Sequence, residues 1–127
     1  MNESQQGELI DRYIRAYNTF DIEGMLALLS PDIRFENYSG DELTASADGI
    51  DEFRQLAETA KSLFAEREQR ITSLKFENYE ALAEIDYRGR LAADIPGGPV
   101  AGTVLELKGQ TEFKFRDGLI AKIVDRS

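Results

Sequence analysis

The side chains that could carry out chemistry in this chain are carboxylates, tyrosines and lysines, because its 127 residues include no histidine and no cysteine. That absence excludes thiolate nucleophiles, imidazole bases, disulfides and Ser-His-Asp arrangements. Asp125 is the most informative carboxyl, since strand alternation places it on one face with Ala121 and Ile123. Apolar neighbours raise the pKa of a carboxyl toward the range that acid–base catalysis needs. The alternative is a solvated Asp125 on a frayed chain end.

The first third of the chain predicts two helices that could position such groups. Apolar residues recur at helical spacing over residues 8–20, and Tyr13 and Tyr17 lie in that stripe. Asp21 is a suitable N-cap for a second, shorter helix, which the Ser-Pro-Asp sequence at residues 30–32 ends.

A third amphipathic helix follows a loop predicted over residues 39–47. Asp48 is its expected N-cap, with Asp51 in a position that resembles a capping box. Its apolar stripe includes Phe53, and the helix is expected to run to about Glu66.

Alternating polar and apolar residues predict strands at 33–38, near 69–77, near 79–92, at 103–116 and at 119–126. In strand 103–116 every even position from residue 106 is polar, so the odd positions form the buried face. Residues 94–102, which contain Pro-Gly-Gly-Pro, separate two strands, and Asp117-Gly118 marks a hairpin turn.

This order of elements predicts an α+β fold in one domain spanning residues 1–127. A curved, mostly antiparallel sheet would pack against three N-terminal helices in a cone, a cystatin-like α+β barrel. Gly109 in mid-strand suits a sheet that bends sharply. The charged residues between Glu84 and Arg90 are expected to form ion pairs on the outer face.

Charge and composition limit the partners. A formal charge of −9 without a Lys/Arg cluster argues against nucleic acids and anionic membranes. No hydrophobic run approaches membrane-spanning length and the first residues are polar, so a cytoplasmic location is expected. The acidic pairs at 41–42 and 51–52 lack the spacing of a calcium loop, and no metal or cofactor is predicted.

Three segments carry a family resemblance: Arg-Tyr-Ile-Arg-Ala-Tyr-Asn at 12–18, Asp-Ile-Glu-Gly-Met-Leu-Ala-Leu-Leu at 21–29, and residues 32–37. They are similar to the start of bacterial ketosteroid isomerases. The order of elements resembles the nuclear transport factor 2-like superfamily, which also includes SnoaL-like polyketide cyclases, scytalone dehydratase and limonene-epoxide hydrolase. The resemblance implies a deep apolar pocket between sheet and helices, and a homodimer.

The resemblance also implies roles for particular residues. Tyr13 matches the isomerase tyrosine that donates to an enolate oxygen, although a tyrosine in a helical stripe can equally be a core residue. Asn37 and Thr111 replace the two isomerase aspartates, so classical ketosteroid isomerase activity is not expected. Asn37 with Asp125 resembles the pair that holds a water in limonene-epoxide hydrolase, and SnoaL-like cyclases use a pocket aspartate.

Two functions follow as hypotheses. The first is a SnoaL-like isomerase, cyclase or hydrolase acting on an apolar, carbonyl-bearing or cyclic small molecule through Tyr13, Asn37 and Asp125. The second is a non-catalytic ligand-binding or dimerisation module of the same fold. The residues expected to line the pocket are Tyr17, Phe35, Phe53, Tyr87, Leu105, Thr111 and Phe113. Whether loops 39–47 and 94–102 close over it is left open.

Overall fold

Three helices and six strands make up the computed structural model, which describes all 127 residues. In chain order they are α1 Glu3–Asn18, α2 Ile22–Leu26, β1 Leu29–Ser39, β2 Glu42–Asp48, α3 Gly49–Leu63, β3 Phe64–Glu77, β4 Glu80–Leu91, β5 Val104–Arg116 and β6 Leu119–Arg126. The predicted α+β fold class is confirmed, with three helices against one curved sheet. None of the helices is both long and apolar enough to cross a membrane.

The six strands form one open sheet in the order β2-β1-β6-β5-β4-β3. All neighbouring pairs are antiparallel except β1 and β6, which run parallel. The last strand therefore lies in the middle of the sheet, where it joins the β1–β2 hairpin to the other three strands. The sheet is open, and β2 and β3 are its two edge strands.

The first helix begins five residues earlier than the periodicity predicted. Asn2 is its N-cap: the Asn2 side chain accepts from the Gln5 amide at 2.8 Å, and the Gln5 side chain accepts from the Asn2 amide at 3.0 Å. This reciprocal capping box satisfies amides that would otherwise lack partners. The polar first turn concealed it, because it contributes little to the apolar stripe.

The prediction of a loop over residues 39–47 is wrong, because Glu42–Asp48 forms β2. This strand pairs antiparallel with β1 through a register that shifts between Asn37 and Tyr38. Most of its side chains are exposed, since it is an edge strand held largely by backbone hydrogen bonds. Such a strand needs no alternating apolar face, and the sequence pattern that predicts strands was therefore missing.

The third helix is shorter than predicted and is capped differently. The Asp48 side chain makes no cap hydrogen bond; instead Glu52, not Asp51, accepts from the Asp48 amide at 2.9 Å. The helix ends at Leu63 rather than about Glu66, because β3 begins at once with Phe64 paired to Leu91.

The outer face of the sheet carries the predicted ion pairs. Asp86 contacts Arg70 at 3.1 Å and Lys108 at 3.3 Å, while Arg88 reaches Glu106 and Arg90 reaches Glu66. These partners come from β3 and β5 on either side of β4. The polar face of these strands is thus the solvent face, and the opposite face is left for the core.

The inner face packs against the helices in one apolar core. Its largest fully buried side chains are Ile10, Ile33, Phe113, Ile120 and Ile123. The expected place of Ala121 on this face is wrong, because the pairing of β5 with β6 shifts between Lys114 and Phe115. Phe115 pairs with Ile120, so Ile120 takes the inner position and Ala121 is the extra residue of a bulge.

Candidate active site in the cavity between sheet and helices

A cavity of about 400 Å³ lies between the inner face of the sheet and the helices. Twenty-four residues border it, of which 14 are hydrophobic. Helix α1 contributes Tyr13 and Tyr17, α3 contributes Phe53, and the sheet supplies most of the rest. Its size and its mostly apolar wall with a few polar groups are typical of small-molecule sites.

Three polar residues form a row across the middle of the sheet. Asn37 on β1 is paired with Asp125 on β6, and Asp125 is paired with Thr111 on β5. All three border the cavity. The Thr111 hydroxyl donates to Asp125 Oδ1 at 2.7 Å. The parallel pairing of β1 with β6 is what brings Asn37 and Asp125 together, although 88 positions separate them in the sequence.

Asp125 is a partly buried carboxyl in the cavity wall and not a frayed chain end. Ser127, two residues further along, is bonded to the end of β1: its amide donates to the Tyr38 carbonyl at 3.1 Å, and its carbonyl accepts from the Gly40 amide at 3.0 Å. Burial raises the pKa of Asp125 to about 6, and the hydrogen bond from Thr111 opposes that rise. At neutral pH most of this carboxyl is ionised, yet it can hold a proton near pH 6.

Gly109 allows the end of β6 to lie close to β5. A Cβ atom at this position would stand 2.5 Å from the Arg126 carbonyl oxygen. The register of β5 with β4 runs through Gly109 without a shift, so the residue does not mark a bulge. Its role is to admit a neighbouring backbone, which keeps Asp125 in place one residue away.

Tyr13 is 4% exposed and its ring meets the edge of Phe113 at a centroid distance of 6.0 Å. Its hydroxyl makes no hydrogen bond within the chain and is not sealed in the core, so it faces the cavity that the residue borders. Burial is the main cause that raises the pKa of Tyr13, and the nearby charge of Asp125 raises it further. Tyr13 therefore presents a neutral phenol with a free proton near Asp125.

Asn37 is already partly engaged. Its side-chain nitrogen donates to the Thr44 hydroxyl at 2.8 Å, and that hydroxyl donates to the backbone carbonyl of Asn37 at 3.1 Å. Both contacts come from β2, the strand that the sequence pattern missed. They fix the orientation of the side chain and leave its oxygen and second amide proton free.

The other expected lining residues are divided between the cavity and the core. Phe113 is fully buried beneath Tyr13 and does not border the cavity. The rings of Phe35 and Phe53 meet edge to face with their centroids 5.7 Å apart. The hydroxyl of Tyr17 donates to that of Tyr87 at 3.2 Å. The expected residues that border the cavity are Tyr17, Phe35, Phe53, Tyr87, Leu105 and Thr111.

Arg67 is a cavity residue that the sequence did not indicate. It is 6% exposed, its guanidinium lies 3.7 Å above the centre of the Tyr17 ring, and its Nε donates to the Tyr17 carbonyl at 2.9 Å. An arginine between Glu66 and Glu68 has the local pattern of a surface residue. Its burial depends on the end of α1, 50 residues away, so no local signal could have found it. No cluster of three or more Asp or Glu side chains suitable for a metal occurs.

Comparison with known proteins agrees with this architecture. A candidate polyketide cyclase of Xanthomonas campestris pv. campestris is 22% identical over 100% of this chain and 93% of its own, with a TM-score of 0.87. A candidate polyketide cyclase of Pseudomonas putida KT2440 is 27% identical over 93% and 87%, with a TM-score of 0.74. A hypothetical Catenulispora acidiphila protein with a ketosteroid isomerase-like fold, solved with trimethylamine, is 15% identical over 93% and 83%, with a TM-score of 0.77.

No functionally curated protein matches the sequence significantly. The sequence does match the SnoaL-like domain family over residues 10–123, which include the helices and nearly the whole sheet. The chain belongs to the SnoaL-like domain family.

Proposed function

We propose that this protein catalyses proton transfer on an apolar, carbonyl-bearing small molecule bound in the cavity. The observation that carries the proposal is the Asp125 carboxyl, with its pKa raised to about 6 by burial, in a cavity that also contains the unpartnered Tyr13 hydroxyl. A base whose pKa is close to the working pH is deprotonated in a large fraction of the molecules, and it is still basic enough to remove a proton efficiently. The reaction class is isomerisation or cyclisation through an enolate.

The proposed step begins with the Asp125 carboxylate removing a proton from the carbon next to the substrate carbonyl. The C–H electrons form the enolate, whose oxygen accepts a hydrogen bond from Tyr13. In an isomerisation, Asp125 returns the proton to a different carbon. In a cyclisation, the enolate carbon bonds to a second carbonyl carbon, and the resulting alkoxide takes the proton. Asn37 would bind a polar group of the substrate beside Asp125.

A hydrolase of the epoxide-opening kind has less support from the geometry. That mechanism needs a second carboxyl with an arginine on the middle strand. Asp86, the nearest carboxyl on β4, lies on the outer face and is held by Arg70 and Lys108. Asn37 also uses one of its two amide protons on Thr44, which leaves one proton and the side-chain oxygen for a water.

The test is deuterium exchange into 2-tetralone, a bicyclic ketone, followed by NMR in D2O. We expect the wild type to accelerate exchange next to the carbonyl, and Asp125→Asn to lose about 100-fold or more of that acceleration. Asp86→Asn is the matched control, because it removes a carboxyl on the outer face, and it should behave as the wild type.

Equal exchange by the wild type and Asp125→Asn would contradict the assignment of Asp125. Binding of the ketone without any acceleration by the wild type would favour a non-catalytic binding module.

A further inference from the structure

Arg67 is a buried cation without a carboxylate partner. Three cationic residues border the cavity, but Lys108 directs its ammonium to Asp86 on the outer face at 3.3 Å, and Arg126 pairs with Glu112 at 2.9 Å. Arg67 forms no ion pair, although it is 6% exposed. Burying a charge without an opposite charge or a full set of hydrogen bonds is costly.

The contacts of Arg67 within the chain satisfy only part of the guanidinium. Nε is bonded to the Tyr17 carbonyl, and the plane stacks between the rings of Tyr17 and Phe20 at 3.7 and 4.5 Å. The two terminal amino groups have no hydrogen-bond partner in the chain and are not sealed from the cavity. They present a planar pair of donors, which matches the two oxygens of a carboxylate.

Two tyrosine hydroxyls lie beside this guanidinium. Tyr17 and Tyr87 share one hydrogen bond of 3.2 Å, which uses one of their two protons and leaves the other for a ligand. Burial is the main reason that the pKa of each tyrosine is raised, so both hydroxyls stay protonated and can donate hydrogen bonds.

Arg67 and Asp125 lie on different strands of the cavity wall, and the charges of both act on the hydroxyls of Tyr13 and Tyr17 between them. Arg67 pairs through Gly89 with Leu105 on β5, whereas Asp125 pairs with Thr111 on the same strand. Leu105 and Thr111 are six residues apart, which separates the two backbone positions by about 20 Å along the strand, although the side chains approach each other more closely. The cavity wall between them is mostly apolar. An anion at Arg67 therefore leaves room for an apolar body that reaches Asp125.

We propose that Arg67 binds a carboxylate, so that the ligand of this cavity is an apolar carboxylic acid with its carbonyl group beside Asp125. The position of the carbonyl rests on the proposed function; the carboxylate site stands on Arg67 alone. One unpaired cation suits a singly charged group, whereas a phosphate dianion would need more positive charge than this wall supplies.

The test compares two probes of similar shape by titration calorimetry at pH 7: 2-naphthoate, which is charged, and 2-acetylnaphthalene, which is neutral. We expect the wild type to bind 2-naphthoate more tightly. Arg67→Met should weaken 2-naphthoate about 10- to 100-fold and leave 2-acetylnaphthalene within about twofold. Arg67→Lys should be intermediate, and Lys108→Met, which removes a cation whose ammonium pairs with Asp86 on the outer face, should bind both probes as the wild type does.

Wild-type protein that binds 2-naphthoate no better than the ketone overturns the carboxylate site, and this arm needs no variant to fold. Unchanged 2-naphthoate affinity in folded Arg67→Met overturns it as well. Either result leaves the Asp125 exchange assay intact, because that assay uses a neutral ketone. Loss of exchange in Asp125→Asn with normal 2-naphthoate binding supports both proposals. Binding of neither probe contradicts the carboxylate site, whereas a wild type that does not accelerate exchange contradicts the proposed function.

Discussion

Thr111 donates to Asp125 the single hydrogen bond that opposes the burial of its carboxylate. Carboxylates that accept several hydrogen bonds have low pKa values, whereas desolvated carboxyls have high ones. With one short bond of 2.7 Å against an apolar cavity, burial prevails and the pKa reaches about 6. The threonine hydroxyl thus limits how far the pKa of the proposed base can rise.

Thr111→Val should raise the pKa of Asp125 above its wild-type value, because valine keeps the shape and removes the hydroxyl. The carboxyl carbon shift of Asp125 in a pH titration by NMR measures this directly. The pH at which ketone exchange is half-maximal should rise by the same amount, since the ionised carboxyl is the base. A pKa that stays at about 6 or falls would show that the hydroxyl does not stabilise the carboxylate.

Asp125 should make the folded state less stable as pH rises. Its pKa is about 6 in the folded chain and 3.8 for an unperturbed aspartate, so the folded state binds more protons between these pH values. The folded state therefore loses stability from about pH 4 to about pH 6, by about 3 kcal/mol in total.

Urea denaturation of the wild type and Asp125→Asn at pH 4 to 7 tests this. The stability of the variant relative to the wild type should grow by about 3 kcal/mol over that range. Asp32 and Asp86 have pKa values lowered by hydrogen bonds and give the opposite trend, but they are common to both proteins. A difference that does not change with pH would contradict the raised pKa.

Tyr13→Phe should separate a catalytic hydroxyl from a packing residue. The hydroxyl has no partner in the chain, so its loss should change the free energy of unfolding by less than about 0.5 kcal/mol. Ketone exchange should slow about 100-fold, as for loss of one oxyanion donor. Tyr79→Phe, at a site 65% exposed, is the matched control. A loss of stability with normal exchange would instead indicate a core residue.

Gly109→Ala should destabilise the protein by about 1–3 kcal/mol, because the new methyl group would overlap the Arg126 carbonyl oxygen. Gly7→Ala is a control of opposite sign. Its Cβ would meet Phe76 at an ordinary 3.6 Å, and alanine favours the helix by roughly 0.5–1 kcal/mol. Thermal denaturation of both variants measures the two changes in stability. Equal effects at the two glycines would argue against a close approach at Gly109.

The sequence predicted the elements whose pattern is local. The alternation in β5 and the helical stripe of α1 depend on neighbours a few residues away, and both agree with the structure. β2 was not predicted, because an exposed edge strand has no buried face and so needs no alternation of apolar and polar residues. Turn chemistry was also local: Asp117 and Gly118 both have positive φ angles, of 53° and 78°, as a two-residue hairpin loop requires.

The site itself was predictable only in part. Tyr13, Asn37 and Asp125 were proposed largely through a family resemblance, and the register of a parallel strand pair, which no spacing rule gives, brings the last two together. Arg67 lay beyond sequence reasoning, because its burial depends on the end of α1 and on the unusual early start of β3 at Phe64.

The central position of β6 has a consequence for how the protein is made. Residues 1–118 leave the ribosome before the strand that joins β1 to β5, so the nascent chain can form only two separate pieces of sheet. Each piece has an unpaired edge that is open to other chains until β6 arrives. Aggregation during folding should therefore depend on how long the chain persists before β6 pairs with both β1 and β5.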